Sequence, residues 1–264
     1  MSLIESGRVL FNRKLATGIF RMELALPEIA PLVKGSGQFI SLHVGLGWQM
    51  PLRRPMSIAS VKNDTLSIIY KILGRGTEWL QERNQGDLIN ILGPLGNTFS
   101  LDRLDGRTPI LLAGGVGIAP ILFLHEQMIL EDQVHNFIIG AVTADEHFQD
   151  HNPKRGIYLT TDDGSLGIKG NVLVALELLV EKIEKPYILA CGPKAMLMAI
   201  QKYAMQNEIH GQIAVESYMA CGTGLCQGCV VETSAKITSK NTYLERYSLV
   251  CKNGPVYDLN NVRF

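Results

Sequence analysis

Four of the five cysteines lie close together near the end of the 264-residue sequence. The stretch CGTGLCQGC places Cys221, Cys226 and Cys229 at C-x4-C-x2-C spacing, and Cys251 follows downstream. This is the ligand spacing of plant-type [2Fe–2S] clusters. The glycines between these cysteines supply the backbone freedom that a tight turn around a small inorganic core requires. The spacing therefore favours an iron–sulfur site.

Other uses of the same cysteines compete with this interpretation. A structural zinc site more typically shows two C-x2-C pairs, and Cys226 and Cys229 form the only such pair here. Disulfides are rare in a reducing compartment, and inert buried thiols would not need interleaved glycines. Zinc stays open as the weaker alternative to iron–sulfur ligation.

Two motifs in the first hundred residues could hold a phosphate-bearing ligand. In RRPMSI at 53–58 an arginine can bind a phosphate and a serine can hydrogen-bond a ring. In GRGTEWL at 74–80 a glycine-rich turn leads into a short helix whose N-terminus favours a pyrophosphate. Alone, each motif is more often ordinary structure, a strand start in the first case and a capped turn in the second. The candidate residues are Arg54, Pro55, Met56, Ser57, Gly76 and Thr77.

Two further loops each follow an apolar strand and precede a helix. They are GGVGIAP at 114–120 and CGP at 191–193. At one edge of a parallel sheet, two such loops would form the crevice where dinucleotides bind. GGVGIAP lacks the full G-x-G-x-x-G fingerprint and alone indicates only a tight turn. Cys191 fits a small buried hydrophobe as well as a thiol beside a nicotinamide. The candidates are Gly114, Gly115, Gly117, Cys191, Gly192 and Pro193.

Residues 8–100 contain six short segments rich in β-formers, separated by turn signals. This pattern predicts an antiparallel β-barrel. One short helix is expected over Thr77–Arg83, with Thr77 as its N-cap. From Thr108 onward apolar strands alternate with helices, which indicates a parallel α/β sheet. The predicted division is therefore a barrel over 1–101, an α/β nucleotide-binding domain over 102–212 and a small iron–sulfur subdomain over 213–264.

Composition sets further bounds. Apolar residues make up 46% of the chain, which excludes general disorder. Lys+Arg and Asp+Glu are both 25, so no overall attraction to nucleic acid or to an anionic membrane is expected. The sequence opens without an apolar signal region, and the apolar run 111–124 is shorter than the ~20 residues of a membrane span. We expect a cytoplasmic protein.

Together the motifs resemble a known family. RPMS, GRGT, GPLGNTF, AGGVGIAP, TDDGSLGIKG, ACGP and CGTGLCQGC occur in the order typical of the ferredoxin–NADP reductase superfamily. More closely, the whole chain resembles the electron-transfer subunits of type B dihydroorotate dehydrogenase. The resemblance implies a barrel that holds FAD, an α/β domain that binds NAD and a terminal [2Fe–2S] cluster. It also implies a separate FMN-containing catalytic subunit, which oxidises dihydroorotate to orotate, in a hetero-oligomer expected to be a heterotetramer.

The resemblance extends to individual residues. Cluster ligands would be Cys221, Cys226, Cys229 and Cys251. Thr98 departs from the family pattern, because glycine is expected there. The FAD contacts would be Arg54, Pro55, Met56, Ser57, Ile69, Tyr70, Lys71, Gly76 and Thr77.

Two alternatives stay open on the sequence alone. One is a related reductase subunit that serves another acceptor, and the other is a non-catalytic module that holds a nucleotide or zinc. For the nucleotide, Asp145 and Glu146 in the loop TADEHF would repel a 2′-phosphate, which favours NAD over NADP.

Overall fold

The computed structural model describes residues 2–45, 47–234 and 242–264. Six strands close into an antiparallel barrel in the order β1-β2-β5-β4-β3-β6. Their side chains alternate, and the inward set is almost fully excluded from solvent, as Met22, Ile40 and Ile68 illustrate. The predicted antiparallel barrel is confirmed. The strands are β1 (Leu3–Ala16), β2 (Ile19–Ala25), β3 (Phe39–Leu42), β4 (Arg54–Lys62), β5 (Thr65–Lys71) and β6 (Leu88–Leu95).

A short helix, α1 (Arg75–Gln81), follows β5. The predicted start at Thr77 is wrong, because the helix already begins at Arg75 and Thr77 is its third residue. From inside the first turn the Thr77 hydroxyl accepts hydrogen bonds from the backbone N–H groups of Leu73 (2.9 Å) and Gly74 (3.2 Å). Thr77 thus satisfies free N–H groups at this end of the helix without being its N-cap.

The second half of the chain builds a seven-stranded sheet in the order β10-β9-β8-β7-β11-β12-β15. All neighbours are parallel except the last pair, in which β15 runs antiparallel to β12. The elements are β7 (Thr108–Gly114), α2 (Ile118–Leu130), β8 (Asn136–Ala141), β9 (Ile157–Thr161), β10 (Ile168–Lys169), α3 (Val172–Val180), β11 (Pro186–Cys191), α4 (Lys194–Gln206), β12 (His210–Ala214) and β15 (Val256–Asp258). The predicted parallel α/β sheet is confirmed.

The chain after β12 carries the cysteines and adds a small antiparallel sheet, ordered β14-β13-β16. Its elements are β13 (Val230–Thr233), α5 (Tyr243–Arg246), β14 (Tyr247–Leu249), α6 (Val250–Asn253) and β16 (Val262–Arg263). The predicted domain boundary at residue 212 falls inside β12, and β15 from the terminal region pairs with β12. The terminal region therefore contributes a strand to the seven-stranded sheet. Among the described residues no helix combines the length and apolar character of a membrane span.

Candidate functional site

A cleft of about 250 Å³ lies between the barrel and the second half of the chain. Its barrel wall is formed by β4, β5 and α1, which contribute Pro55, Met56, Ser57, Ile69, Tyr70, Lys71 and Thr77. Each of these was a candidate for FAD contact. Mostly apolar walls with a few polar groups suit a flat aromatic ring that needs orientation as well as burial.

The remaining two FAD candidates lie together beside this wall. A Cβ added to Gly76 would come within 2.6 Å of Arg54 Nε, so the arginine side chain packs on the first turn of α1. Arg54 Nη1 donates to the carbonyl of Leu52 at 2.6 Å, which holds the guanidinium near the start of β4. A fixed guanidinium next to the glycine-rich turn fits a phosphate group at this end of the cleft.

Tyr70 forms the buried part of the barrel wall. Its hydroxyl donates to Asn12 Oδ1 at 2.9 Å. Burial raises the pKa of Tyr70 to about 12, although the Asn12 hydrogen bond acts in the opposite direction. The phenol therefore stays neutral and serves as a surface for packing, not as an acid or a base.

Of the opposite wall, sequence reasoning singled out only the loop GGVGIAP, which contains Val116. The wall consists of Val116 from the loop after β7 and of residues from the chain after β12, namely Val215, Glu216, Ser217, Met219 and Pro255. The sequence analysis did not predict β12, because HGQIA at 210–214 has the polar Gln212 at its centre. Without that strand, nothing in the sequence indicated that the residues after it would lie at the cleft. Residues 215–219 lie directly before the cysteine loop, and Pro255 follows its last cysteine.

The two glycine-bearing loops meet at the carboxyl edge of the sheet. β7 and β11 are neighbours, with Ala113 opposite Cys191. A Cβ on Gly117 would lie 2.3 Å from the carbonyl oxygen of Cys191, and one on Gly114 would lie 2.4 Å from Met196 Sδ. Only glycine permits this approach of two backbones. The structure thus brings the candidate residues of both loops together at one edge of the sheet, where Val116 also lines the cleft.

Cys191 is buried at the end of β11, with 3% of its surface exposed. Burial, reinforced by the negative charge of Glu216, raises the pKa of its thiol well above the usual range. The group is therefore a protonated thiol and not a reactive thiolate. Its buried position fits a small apolar side chain in the floor of the crevice.

The loop after β8 is tied to the barrel. Lys71 Nζ lies 2.8 Å from Glu146 Oε1, and the backbone N–H of Thr17 donates to the carbonyl of Asp145 at 2.9 Å. Lys71 neutralises Glu146, so of the two acids expected to repel a 2′-phosphate only Asp145 keeps an uncompensated charge. The Asp145 side chain is exposed.

The four cysteines of the terminal region come together in two pairs. Contacts from backbone N–H to sulfur join Cys226 to Cys221 and Cys251 to Cys229. Backbone N–H groups of Thr223 and Cys226 donate to Cys221 Sγ, both at 3.4 Å. The N–H groups of Gly228 and Cys251 donate to Cys226 Sγ and Cys229 Sγ at the same distance. Positive φ angles at Gly222 (71°) and Gly224 (87°) allow the turn that aims these donors.

The donors alter the acidity of the thiols. Although desolvation acts in the opposite direction, the N–H groups of Cys226 and Thr223 lower the pKa of Cys221 to about 6. Burial, together with the neighbouring Cys229, raises the pKa of Cys251 to about 12. Within the described ranges no group of three or more His, Cys, Asp or Glu side chains surrounds a single metal position. The two-by-two arrangement with N–H groups aimed at sulfur fits a cluster of two irons held by four thiolates.

Comparison with known proteins agrees with this geometry. Residues 216–263 match the family model described as the iron–sulfur cluster binding domain of dihydroorotate dehydrogenase B. The chain is 32% identical, over 98% of both chains, to the dihydroorotate dehydrogenase B (NAD(+)) electron transfer subunit of Caldanaerobacter subterraneus subsp. tengcongensis. It is 34% identical, over 99% of both chains, to the subunit of that name from Streptococcus pneumoniae.

The fold has solved relatives as well. The chain is similar to one in the structure of an NADH-dependent reduced ferredoxin-NADP oxidoreductase, with a TM-score of 0.81, 24% identity and coverage of 98% of this chain and 90% of that one. Phthalate dioxygenase reductase is more distant, with a TM-score of 0.64, 16% identity and 94% coverage of both chains. The fold is thus that of the ferredoxin–NADP reductases, and by its full-length sequence relatives this chain belongs to the family of electron transfer subunits of NAD-dependent dihydroorotate dehydrogenase B.

Proposed function

We propose that this subunit carries electrons between NAD(H) and an FMN-containing catalytic subunit that oxidises dihydroorotate to orotate. FAD would lie in the cleft, NAD(H) in the adjoining crevice, and a [2Fe–2S] cluster at the four cysteines. One observation carries the proposal. Ser217 and Met219 line the cleft, and the same run of chain continues directly into the cysteine loop. One wall of the proposed flavin site is therefore continuous in sequence with the proposed cluster site, as the electron path requires.

The barrel wall would orient the flavin. Arg54 and the turn at Gly76 and Thr77 would bind its phosphates, because a guanidinium and backbone amides are the donors that such groups prefer. The ring would pack on the strand residues Pro55, Met56, Ser57, Ile69, Tyr70 and Lys71. When bound, FAD exchanges two electrons with a nicotinamide and single electrons with an iron–sulfur cluster.

The crevice would place the nicotinamide against the flavin. Gly114, Gly115 and Gly117 would let the dinucleotide approach the backbone, and Cys191, Gly192 and Pro193 would form the facing side. The chain needs no general acid or base for this step, because hydride transfer depends on close stacking and on exclusion of water. The neutral Tyr70 and the protonated Cys191 suit such a site.

The cluster would face the partner subunit. Cys221, Cys226, Cys229 and Cys251 would be its ligands, two for each iron. Next to them the surface carries large apolar side chains, with Tyr218 98% and Leu225 85% exposed. Apolar residues beside an exposed ligand such as Cys226 suit a protein interface across which electrons leave. We therefore propose that the FMN subunit docks on this surface, in an assembly expected to be a heterotetramer. We also propose that the protein is cytoplasmic, because unpaired thiols such as these stay reduced in the cytoplasm.

Reconstitution tests this function. The chain is purified anaerobically, and its absorption spectrum is recorded before and after addition of NADH. Flavin bands with a broad iron–sulfur shoulder that bleach on NADH addition are expected. Mixed with a candidate FMN subunit, the chain should then support NADH-dependent reduction of orotate. A colourless protein would overturn the cofactor assignment. Bleaching without orotate turnover would instead indicate a different acceptor.

A further inference from the structure

One ion pair spans the boundary between the barrel and the nucleotide sheet. Lys71 ends β5, whereas Glu146 lies in the loop after β8, and their charged atoms are 2.8 Å apart. The two side chains are 29% and 21% exposed, so solvent only partly screens the pair. The other ion pairs in the described part of the chain do not join these two regions. The N–H of Thr17 bonds the carbonyl of Asp145 beside it, which holds the loop in place.

Lys71 also lines the cleft. A flavin gains negative charge when it is reduced, so a cationic side chain at its site favours the reduced state. An unpaired ammonium would therefore raise the reduction potential of a flavin in this cleft. Glu146 offsets that effect, and it does so from the region that binds the nucleotide.

We propose that Glu146 is a positioning residue: through Lys71 it sets the charge at the flavin and thereby its reduction potential. This inference rests on the proposed placement of FAD in the cleft. It differs from the role that the sequence suggested for Glu146, which was repulsion of a 2′-phosphate. The Glu146 carboxylate contacts Lys71 of the barrel. This ion pair therefore connects the loop after β8 to the proposed flavin site.

Three variants separate tuning by charge from mere support of the fold. Glu146→Gln leaves the ammonium uncompensated, and we expect the flavin potential to rise. Lys71→Met leaves the carboxylate uncompensated, and we expect the potential to fall. The double variant removes both charges, and its potential should return close to that of the wild type. Anaerobic redox titration of the holoprotein, followed at the flavin absorption bands, measures all three.

Controls make the outcome specific. Lys71→Arg keeps the charge and should leave the potential near the wild-type value. Asp87→Asn breaks an ion pair within the barrel, that of Arg83 and Asp87, and should not shift the potential. Thermal unfolding of each FAD-free protein reports any loss of stability separately from the potential.

The possible results are distinct. Opposite shifts in the two single variants, with recovery in the double variant, support the inference. Unchanged potentials, or shifts of the same sign in both single variants, overturn it while leaving the proposed function intact. Failure of the wild-type protein to bind FAD overturns the proposed function, and this inference with it.

Discussion

The flavin cleft and the cysteine loop are built in opposite ways. The barrel wall of the cleft rests on a core from which solvent is almost wholly excluded, with Ile68 at 0% and Tyr70 at 1% exposure. In the cysteine loop Leu225 is 85% exposed, and the local order comes from N–H groups bonded to sulfur. The cleft is therefore organised by its own core, whereas the loop would gain most of its stability from the iron–sulfur cluster proposed at its cysteines.

The largest effect is expected from Cys226→Ser. The substitution removes the exposed one of the four proposed ligands, so the cluster should be lost completely. Iron content and the iron–sulfur absorption shoulder should fall to background while the flavin bands remain. Cys191→Ala, which alters the thiol outside the loop, is the control and should retain iron. Full iron content in Cys226→Ser would show that the loop does not depend on this ligand.

Removal of iron from the wild-type protein should have the next largest effect. With the metal chelated under reducing conditions, amides of residues 223–228 should exchange hydrogen much faster, because this stretch is largely exposed. Amides of the barrel strands should exchange at unchanged rates. Hydrogen exchange followed by mass spectrometry compares the two regions in one sample. Equal acceleration in both would show that the cysteine loop depends on the metal no more than the barrel does.

Gly117→Ala tests the rigidity of the region beside the cleft. The added Cβ would lie 2.3 Å from the carbonyl oxygen of Cys191, a backbone atom that cannot rotate away. We expect a loss of about 1–3 kcal/mol in the free energy of unfolding, as for other overpacked sites. NADH binding should weaken as well, because the crevice shifts. Leu130→Ala, at the 85%-exposed end of α2, the helix that follows this loop, should cost no more than about 0.5 kcal/mol.

The smallest effect concerns pH. Burial, and then the neighbouring His135, lowers the pKa of His125 from the ordinary 6.5 to about 4. Because the unfolded chain binds the proton more readily, this group contributes stability that declines as pH falls from 6.5 toward 4. His125→Gln should therefore show a shallower drop in melting temperature across that range. Parallel curves for the two proteins would assign the pH dependence to other groups.

Sequence patterns predicted those parts of the fold that rest on local periodicity. Alternation identified the barrel strands, and continuous apolar runs identified β7 and β11. β12 was missed because Gln212 interrupts the apolar pattern, although its side chain is buried and bonded to the backbone of Ser100. The helix start was misplaced because Thr77 satisfies N–H groups from inside the helix, a geometry that the residue type does not reveal.

In the candidate site, too, local patterns predicted some residues and tertiary contacts determine the others. Spacing alone brought out the cysteines, and the family motifs brought out the barrel wall of the cleft. The far wall and the Lys71–Glu146 pair depend on tertiary contacts, the latter between residues 75 positions apart. No local signal encodes such a contact, because it arises only when the barrel and the sheet are packed together.

The edge strand β15 has a practical consequence for dissecting this subunit. It pairs with β12 through Ala214 and Val256, although the cysteine loop separates the two strands in the chain. A fragment cut just after Ala214 to obtain a cluster-free flavoprotein would leave β12 as an open edge, ready to pair with other molecules. Such a fragment stays monomeric only if the missing strand is restored, either as a separate peptide or through a short linker that bypasses the cysteines.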